Sequence, residues 1–354
     1  MKRLLPICLL AVVCIAAISI SSESRILAEG SSGGSGTDAA HPPFKVRPVA
    51  TFSIVAIDPA NGDMGVTVAS RYFSVGSVVP WAEASVGAVA TQADVNVGYG
   101  PKAIKLLEQG LTAQAVLKRL LDEDIFPGKD GRQVAVVDVH GNIAAYTGPN
   151  APHWAGDRQG KTWSAQGNIL VGPQVPESMG KAFDATQGEL AEKLYAALKA
   201  GDAAGGDARG RQSASMLVVR KQGGRNTNND RYIYINVDDN PNPFAELRRL
   251  LDLSLAYNYQ DQGFKLLAND KMQEARDSIE KAVHYSPNES DGYMSLGFVE
   301  YALGHKDAAL QNFQKAKDMD PKFADQFKAE AGFVPTFKKI LDDSDFMQKL
   351  FPKN

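Results

Sequence analysis

The sequence predicts an α+β fold followed by an all-α region. Short β-branched runs separated by Gly, Pro and Asp turns fill much of the first two thirds of the chain. Amphipathic helical segments interrupt these runs, and an internal repeat with a spacing of 34 residues occurs in the last third. Hairpins, then helices, then hairpins predict two sheets sandwiched between helical layers.

The first predicted element is a hairpin that opens on threonine. Residues 51–56 (Thr-Phe-Ser-Ile-Val-Ala) are predicted to pair with residues 65–71 across a turn at residues 58–63. Val139 to Ile143 predicts a second tight hairpin. The predicted strands are 51–57, 64–70, 86–92, 133–139, 143–147, 213–220 and 231–237.

Two helical segments are predicted between the strands. The first covers residues 101–123 and has one broad apolar face. Gly110 divides it, and Thr112 is the predicted cap of its second part. The other segment, residues 177–199, is predicted as one continuous helix.

The composition excludes several classes of function. Apolar residues make up 44% of the chain and charged residues 22%, and the net charge is -3. Residues 44–220 carry as many basic as acidic side chains, so the footprint of a nucleic-acid-binding protein is missing. Both cysteines lie in the first 14 residues, and the histidines show no paired spacing. We therefore expect no metal site and no cofactor.

The N-terminus predicts export. Lys2 and Arg3 precede an almost uninterrupted uncharged stretch, and a cleavage site falls near Ala28, so residues 1–28 are predicted to be a signal peptide. The mature protein would be secreted or periplasmic, and an uncleaved membrane anchor stays open as the alternative. Residues 29–43 are rich in Gly and Ser and predict a flexible linker.

A domain boundary is predicted at the Asn-Pro-Asn-Pro run of residues 240–243. It separates a mixed domain, residues 44–239, from a helical domain, residues 245–354. The matching pairs of the internal repeat are Gly263 and Gly297, Ala275 and Ala309, Ile279 and Phe313, Ala282 and Ala316, and Pro287 and Pro321. These positions resemble two tetratricopeptide repeats, with residues 322–351 as capping helices, and the resemblance implies a surface for a protein partner.

Polar segments are predicted where strands of the first domain end, and such loops commonly form a site. They are Ser70-Arg71, residues 91–96, residues 166–168 and residues 205–213. The chain resembles a bacterial domain-of-unknown-function family of the N-terminal-nucleophile (Ntn) hydrolase superfamily at residues 51–56, 78–82 (Val-Val-Pro-Trp-Ala), 87–92 (Gly-Ala-Val-Ala-Thr-Gln), 166–168 and 205–213.

The resemblance implies a four-layer αββα fold and a site around Thr51. Thr51 stands where an Ntn nucleophile would, with its own α-amine as the base. Ser70, Gln92 and Asn96 are then the other catalytic candidates. The substrate-binding candidates are Gln166, Asn168, Asp207, Arg209 and Arg211.

The same side chains could also have a purely structural role. Gln92 and Asn96 could equally satisfy backbone groups of their loop, and Asp207 could form an internal clamp with an arginine instead of holding a ligand. Residues 86–100 contain no lysine or arginine, although proteasome-like relatives use a lysine there. Thr51 also becomes N-terminal only if the Ala50–Thr51 bond is cut.

The function expected from the sequence is therefore hydrolysis of a small amide or peptide bond by an exported Ntn-type hydrolase. The alternative is a catalytically inactive Ntn-like fold that binds a small ligand or a cell-envelope partner, with the helical repeats as a protein-interaction module. A homo-oligomer is compatible with either expectation.

Overall fold

The computed structural model describes residues 49, 51–226, 228–333 and 337–352. The predicted signal peptide (1–28), the predicted linker (29–43) and Ala50 lie outside the described residues. The chain divides into two compact units, residues 1–45 and 46–354, and everything below concerns the second. No helix in the described residues is long and apolar enough to cross a membrane.

The described residues of this unit form ten strands and ten α-helices. The strands are β1 (Thr51–Asp58), β2 (Asp63–Ser70), β3 (Pro80–Glu83), β4 (Gly87–Ala93), β5 (Arg132–Asp138), β6 (Ile143–Thr147), β7 (Trp154–Gln159), β8 (Trp163–Leu170), β9 (Ser213–Val219) and β10 (Arg231–Val237). The helices are α1 (Tyr99–Glu108), α2 (Ala113–Asp122), α3 (Gln174–Ala185), α4 (Leu190–Ala203), α5 (Pro243–Leu267), α6 (Met272–Tyr285), α7 (Ser290–Ala302), α8 (Lys306–Met319), α9 (Phe323–Phe333) and α10 (Ser344–Leu350).

The strands form two antiparallel sheets. The six-stranded sheet has the order β10-β9-β2-β1-β8-β7, and the four-stranded sheet has the order β3-β4-β5-β6. The central strand β1 pairs with β2 on one side and β8 on the other, so that Thr51 lies opposite both Ser70 and Asn168. This register gathers three of the predicted site residues at one end of the sheet.

Apolar side chains fill three layers around the sheets. One cluster lies between the two sheets and includes Val55 and Val137. A second lies between the six-stranded sheet and helices α3 to α5 and includes Phe52. A third packs α1 and α2 on the four-stranded sheet. Because successive residues of a strand face opposite sides, Phe52 points toward the helices whereas Val55 points toward the other sheet. The predicted α+β class, with sheets first and helices last, is confirmed.

The helices differ from the prediction in one place. The division of residues 101–123 is confirmed, since Thr112 accepts a hydrogen bond from the Ala115 amide over 3.3 Å as the cap of α2. The single helix predicted over residues 177–199 is wrong, because α3 and α4 are separated at residues 186–189. Gly188 there has φ +101, which a continuous α-helix does not allow.

Three strands were missing from the prediction, namely β3, β7 and β8. The polar segment of residues 166–168 is part of a strand rather than a loop at a strand end, and in the segment of residues 91–96 only residues 94–96 lie beyond the end of β4. Gln92 lies within β4, and Gln166 and Asn168 lie within β8. Their polar side chains are buried because a second sheet covers this face of β8.

The C-terminal region consists of helical hairpins. Helix α5 packs on α6 and α7 packs on α8. Gly263 lies against Ile279 in the first hairpin, and Gly297 lies against the Phe313 ring in the second, so the residues that match in the repeat make the same contact. Helices α9 and α10 cover the end of the array, where Phe346 and Leu350 are buried.

Helix α5 also contributes to the core of the mixed region. Phe244 stacks on Phe52 with 6.3 Å between ring centroids, and Leu247, Leu251 and Leu255 belong to the same apolar cluster. The loop at residues 240–242 therefore separates sheet from helix in the chain, while the apolar core continues past it. The division into domains 44–239 and 245–354 stays a prediction.

Candidate functional site

Thr51 is completely buried at the start of the central strand β1. Its Oγ1 donates to the Val49 carbonyl over 2.9 Å and lies 3.2 Å from Ser70 Oγ. Ser70 occupies the paired position of β2 and is almost fully buried. The first two catalytic candidates are thus in direct contact.

A hydrogen-bonded network of uncharged side chains extends from this pair between the two sheets. Ser53 Oγ donates to Gln92 Oε1 over 2.7 Å and accepts from Gln166 Nε2 over 2.6 Å. Gln92 Nε2 donates in turn to Gln133 Oε1 over 2.8 Å. Ser53, Gln92, Gln133 and Gln166 are all at most 1% exposed. Buried polar groups are generally hydrogen-bonded. Here the side chains from β1, β4, β5 and β8 supply one another's hydrogen-bond partners.

Gln133 is the centre of this network. Its Oε1 accepts from Asn168 Nδ2 over 3.1 Å in addition to Gln92. Its Nε2 donates to Thr147 Oγ1 and to the Gly167 carbonyl, both over 2.9 Å. One side chain of the four-stranded sheet therefore holds the polar end of β8 in place.

Asn168 of β8 is the network residue that lies directly opposite Thr51 in the pairing of β1 with β8. Its Nδ2 is 3.4 Å from the Val49 carbonyl, the same oxygen that accepts from Thr51. Its Oδ1 is buried and has no hydrogen-bond partner among the described residues. An amide oxygen in this position can accept from an amine or amide that enters the site.

Asn96 lies apart from Thr51 in a second cluster. Its Nδ2 donates to Asp124 Oδ1 over 3.4 Å, and Asp124 also accepts from Tyr99 and Arg132. Burial, followed by the hydrogen bond to Asp124, raises the pKa of Tyr99. Burial tends to raise the pKa of Asp124. The hydrogen bonds from Tyr99, the Phe126 amide and Arg132 outweigh burial, so the pKa of Asp124 is lowered. This cluster fixes the loop before α1, so the structure does not bring Asn96 into the network around Thr51.

The arginines of residues 205–213 are engaged in two ion pairs. The Arg209 side chain contacts both carboxylate oxygens of Asp207, at 3.1 and 2.9 Å. Asp207 also accepts from the Arg209 amide over 2.9 Å and from the Arg71 amide over 3.0 Å. Arg211 contacts both oxygens of Asp202, at 2.6 and 3.1 Å. The Asp207 and Arg209 pair is the internal clamp that the sequence left open as an alternative.

A cavity of about 500 Å³ lies next to Ser70 on the helical side of the sheet. Its apolar floor is formed by Phe52 and Phe244. The other lining residues include Ser70, Arg71, Asp202, Gly206, Asp207 and Arg211. Thr51 is not among them, so in this form of the chain the cavity reaches the partner of Thr51 rather than Thr51 itself.

The described residues contain no group of three or more His, Cys, Asp or Glu side chains arranged to hold a metal ion. The network around Thr51 is built from hydroxyl and amide side chains, which supply hydrogen bonds rather than strong metal ligands. Such groups can orient a polar group through hydrogen bonds.

Sequence reasoning missed three residues of this region: Ser53, Gln133 and Arg71. Ser53 is two residues from Thr51, and the period of a strand places both side chains on the same face. Gln133 directly precedes a run of four apolar residues, 134–137, in a fully buried strand, and this is the signal that could have identified it. Arg71 was noted only as the neighbour of Ser70, although it lines the cavity.

Comparisons with known proteins agree on a family without an assigned activity. No curated protein matches the chain. Among solved structures, the crystal structure of a protein from Silicibacter pomeroyi, which is described as a DUF1028 protein, is 30% identical. The match covers 57% of this chain and 88% of that one, with a TM-score of 0.51. Residues 51–247, more than half of the chain, match the family described as a family of unknown function, DUF1028. The chain therefore belongs to the DUF1028 family.

Proposed function

We propose that the two sheets and their helices form an Ntn-hydrolase-like αββα sandwich in which Thr51 hydrolyses a small amide or peptide bond. The observation that carries the proposal is the position of Thr51. It is the first residue of the central strand, and its hydroxyl is 3.2 Å from Ser70 Oγ and 2.9 Å from a carbonyl oxygen. Cleavage before this residue would give its hydroxyl the α-amine as an adjacent base, with Ser70 Oγ already in contact.

The proposed reaction uses the α-amine of Thr51 as the base. The amine takes the hydroxyl proton while Oγ1 attacks the substrate carbonyl carbon, and the proton is then given to the leaving amine. Water releases the acyl group from Oγ1 in the second half of the reaction. Ser70 would orient Oγ1, and Asn168, whose Oδ1 has no partner among the described residues, would accept from the α-amine or the substrate.

Activity requires removal of the residues before Thr51. Val49 forms a backbone bridge with Ala93, and its carbonyl accepts from Thr51 and lies within reach of Asn168. In the uncut chain this carbonyl occupies hydrogen-bonding positions that a substrate would need. Cleavage of the Ala50–Thr51 bond would create the α-amine and free those positions together.

The test is the N-terminus of the protein recovered from its native compartment. Intact mass and N-terminal sequencing should give a chain that begins at Thr51, and this chain should hydrolyse members of an amide panel. Thr51→Ala should abolish turnover, whereas Thr51→Ser, which keeps a hydroxyl, should retain part of it. A mature chain that begins near Glu29 would contradict the proposal.

A second candidate function is ligand binding by a catalytically inactive protein. The observation that favours it is the absence of ionisable side chains among the described members of the network, since Ser53, Gln92, Gln133, Gln166 and Asn168 are all neutral. None of these five side chains carries a charge that could tune the α-amine. A chain that keeps its N-terminal segment and binds ligand without turnover would support this candidate.

The helical region is proposed to be a pair of tetratricopeptide-like repeats that binds a protein partner. The equivalent contacts of Gly263 and Gly297 support this assignment. We also propose that residues 1–28 direct the protein to the periplasm or the cell exterior. Detection of the mature chain in a periplasmic or culture-medium fraction is the corresponding test.

A further inference from the structure

We propose that the cavity beside Ser70 binds a small monocarboxylate with an apolar part, and that Arg71 recognises the carboxylate. As a substrate subsite the cavity rests on the proposed hydrolase function, but as a binding site it does not. Three observations lead to this assignment: the pairing of the surrounding charges, the apolar floor, and the continuity between the cavity and the partner of Thr51.

The charges around the cavity leave one guanidinium without a carboxylate. Asp207 is occupied by Arg209 and Asp202 is occupied by Arg211, each through two contacts. Among the cavity-lining cations that the structure describes, Arg71 alone forms no ion pair with a carboxylate. Among the described residues, its Nη1 makes one long contact, 3.4 Å, with the Arg209 carbonyl. A carboxylate is the natural partner for such a fork of donors.

The surroundings of Arg71 favour an anion over a cation. Lys199 lies at 4.0 Å from Asp202, so four cationic side chains face two carboxylates in and next to the cavity. Gly210 has φ +106, and a Cβ there would lie 3.4 Å from Arg71 Nη1. Glycine therefore keeps room for a ligand group beside the guanidinium.

The floor of the cavity selects the rest of the ligand. Phe52 and Phe244 are stacked and are each at most 2% exposed overall, yet both line the cavity. A planar or branched apolar group can pack on these rings while its carboxylate reaches Arg71. A volume of about 500 Å³ is within the range of small-molecule sites.

Ser70 connects the cavity with Thr51. It lines the cavity and its Oγ is 3.2 Å from Thr51 Oγ1. Ser70 would therefore separate a ligand held by Arg71 from Thr51, and the substrate class that follows under the proposed hydrolase function is an amide that carries a free carboxylate on one side. N-acyl amino acids have this chemistry.

The experiment measures binding separately from turnover. Full-length protein with the Thr51→Ala substitution is titrated in a calorimeter with N-benzoylglycine and with its neutral carboxamide, N-benzoylglycinamide. The acid should bind at least about tenfold more tightly than the amide, which is the scale of a charge-assisted pair. Arg71→Gln should remove this preference, Arg71→Lys should keep part of it, and Arg158→Gln, at an exposed ion pair outside the cavity, should leave it unchanged.

Equal affinity for the two probes, no binding of either, or a preference that survives Arg71→Gln would overturn the proposal. Circular dichroism of each variant shows that it is folded before titration, and Arg71→Lys supplies a folded comparison if Arg71→Gln is not. Because Thr51 is absent from the titrated protein, failure to bind is distinguishable from failure of the hydrolase mechanism, which is read from turnover of the Thr51 protein alone.

Discussion

Asn168 donates a hydrogen bond through Nδ2 to Gln133 Oε1 over 3.1 Å, and this bond joins the six-stranded sheet to the four-stranded sheet. Both residues are at most 1% exposed. The same Gln133 oxygen accepts from Gln92, and its nitrogen donates to the Gly167 carbonyl. The polar end of the inter-sheet layer therefore depends on one glutamine.

Replacement of Gln133 by leucine should destabilise the protein. The size of the side chain is nearly kept, but Gln92, Asn168 and the Gly167 carbonyl would lose buried partners. A loss of about 2–4 kcal/mol in the free energy of unfolding is expected, measured by urea denaturation. Gln114→Leu is the control, because Gln114 is exposed and makes one bond to the Ile143 carbonyl; its effect should stay within about 0.5 kcal/mol. Equal effects of the two substitutions would contradict the assignment of Gln133 as the centre of the network.

Asp207→Asn should destabilise the loop of residues 205–213 more than Asp202→Asn does. The Asp207 side chain is 1% exposed and accepts from Arg209 and from the Arg71 amide. An asparagine would turn a donor toward these donors and remove the carboxylate that Arg209 contacts, at a cost of about 2–4 kcal/mol. Asp202 pairs with Arg211, whose side chain is 51% exposed and can be solvated instead. Thermal unfolding and hydrogen exchange of the loop measure the difference, and a larger effect at Asp202 would refute the clamp.

The fold was predictable where the signal is local. The β1–β2 hairpin, the Thr112 cap and the turn before β6 follow from alternation and turn chemistry within a few residues. Strand β8 was not predictable in this way, because Ser164, Gln166 and Asn168 read as a polar loop. They are strand residues because β1 pairs with them and because side chains of β1 and of the second sheet form hydrogen bonds with theirs. These partners are distant in the sequence.

The candidate site shows the same division. The sequence and the family resemblance identified Thr51, Ser70, Gln92 and Asn168, which the structure brings to one end of the sheets. Gln133 was missed because its hydrogen bonds form only when the two sheets pack together, and no short sequence pattern around it indicates that packing. Arg209 was expected to face a ligand, but its partner Asp207 is only two residues away, and local pairing takes precedence.

Gly297→Ala should destabilise the helical region. A Cβ at Gly297 would lie 2.7 Å from atoms of the Phe313 ring, which is fully buried and cannot move easily. A loss of about 1–3 kcal/mol is expected from this overpacking. Gly332→Ala is the matched control, because Gly332 lies in α9 with no atom of the described residues within 4 Å of the added carbon, and alanine is the better helix former. The C-terminal hairpins would not be packed as described if Gly297→Ala proved as stable as Gly332→Ala in thermal unfolding.

Glu330→Gln should stabilise the protein at pH 8 and leave it nearly unchanged at pH 4.5. Burial, and secondarily the carboxylate of Asp291, raises the pKa of Glu330 to about 7 from an ordinary value of 4.5. Ionisation therefore costs nothing below pH 4.5, costs progressively more between pH 4.5 and 7, and costs most above pH 7. Glutamine resembles the protonated form, so the variant should gain at most about 3 kcal/mol at pH 8, read from urea denaturation at both pH values. Asp325→Asn, at an exposed position of the same helix, is the control and should show no such pH-dependent gain. A gain that is equal at the two pH values would show that charge burial at Glu330 is not its cause.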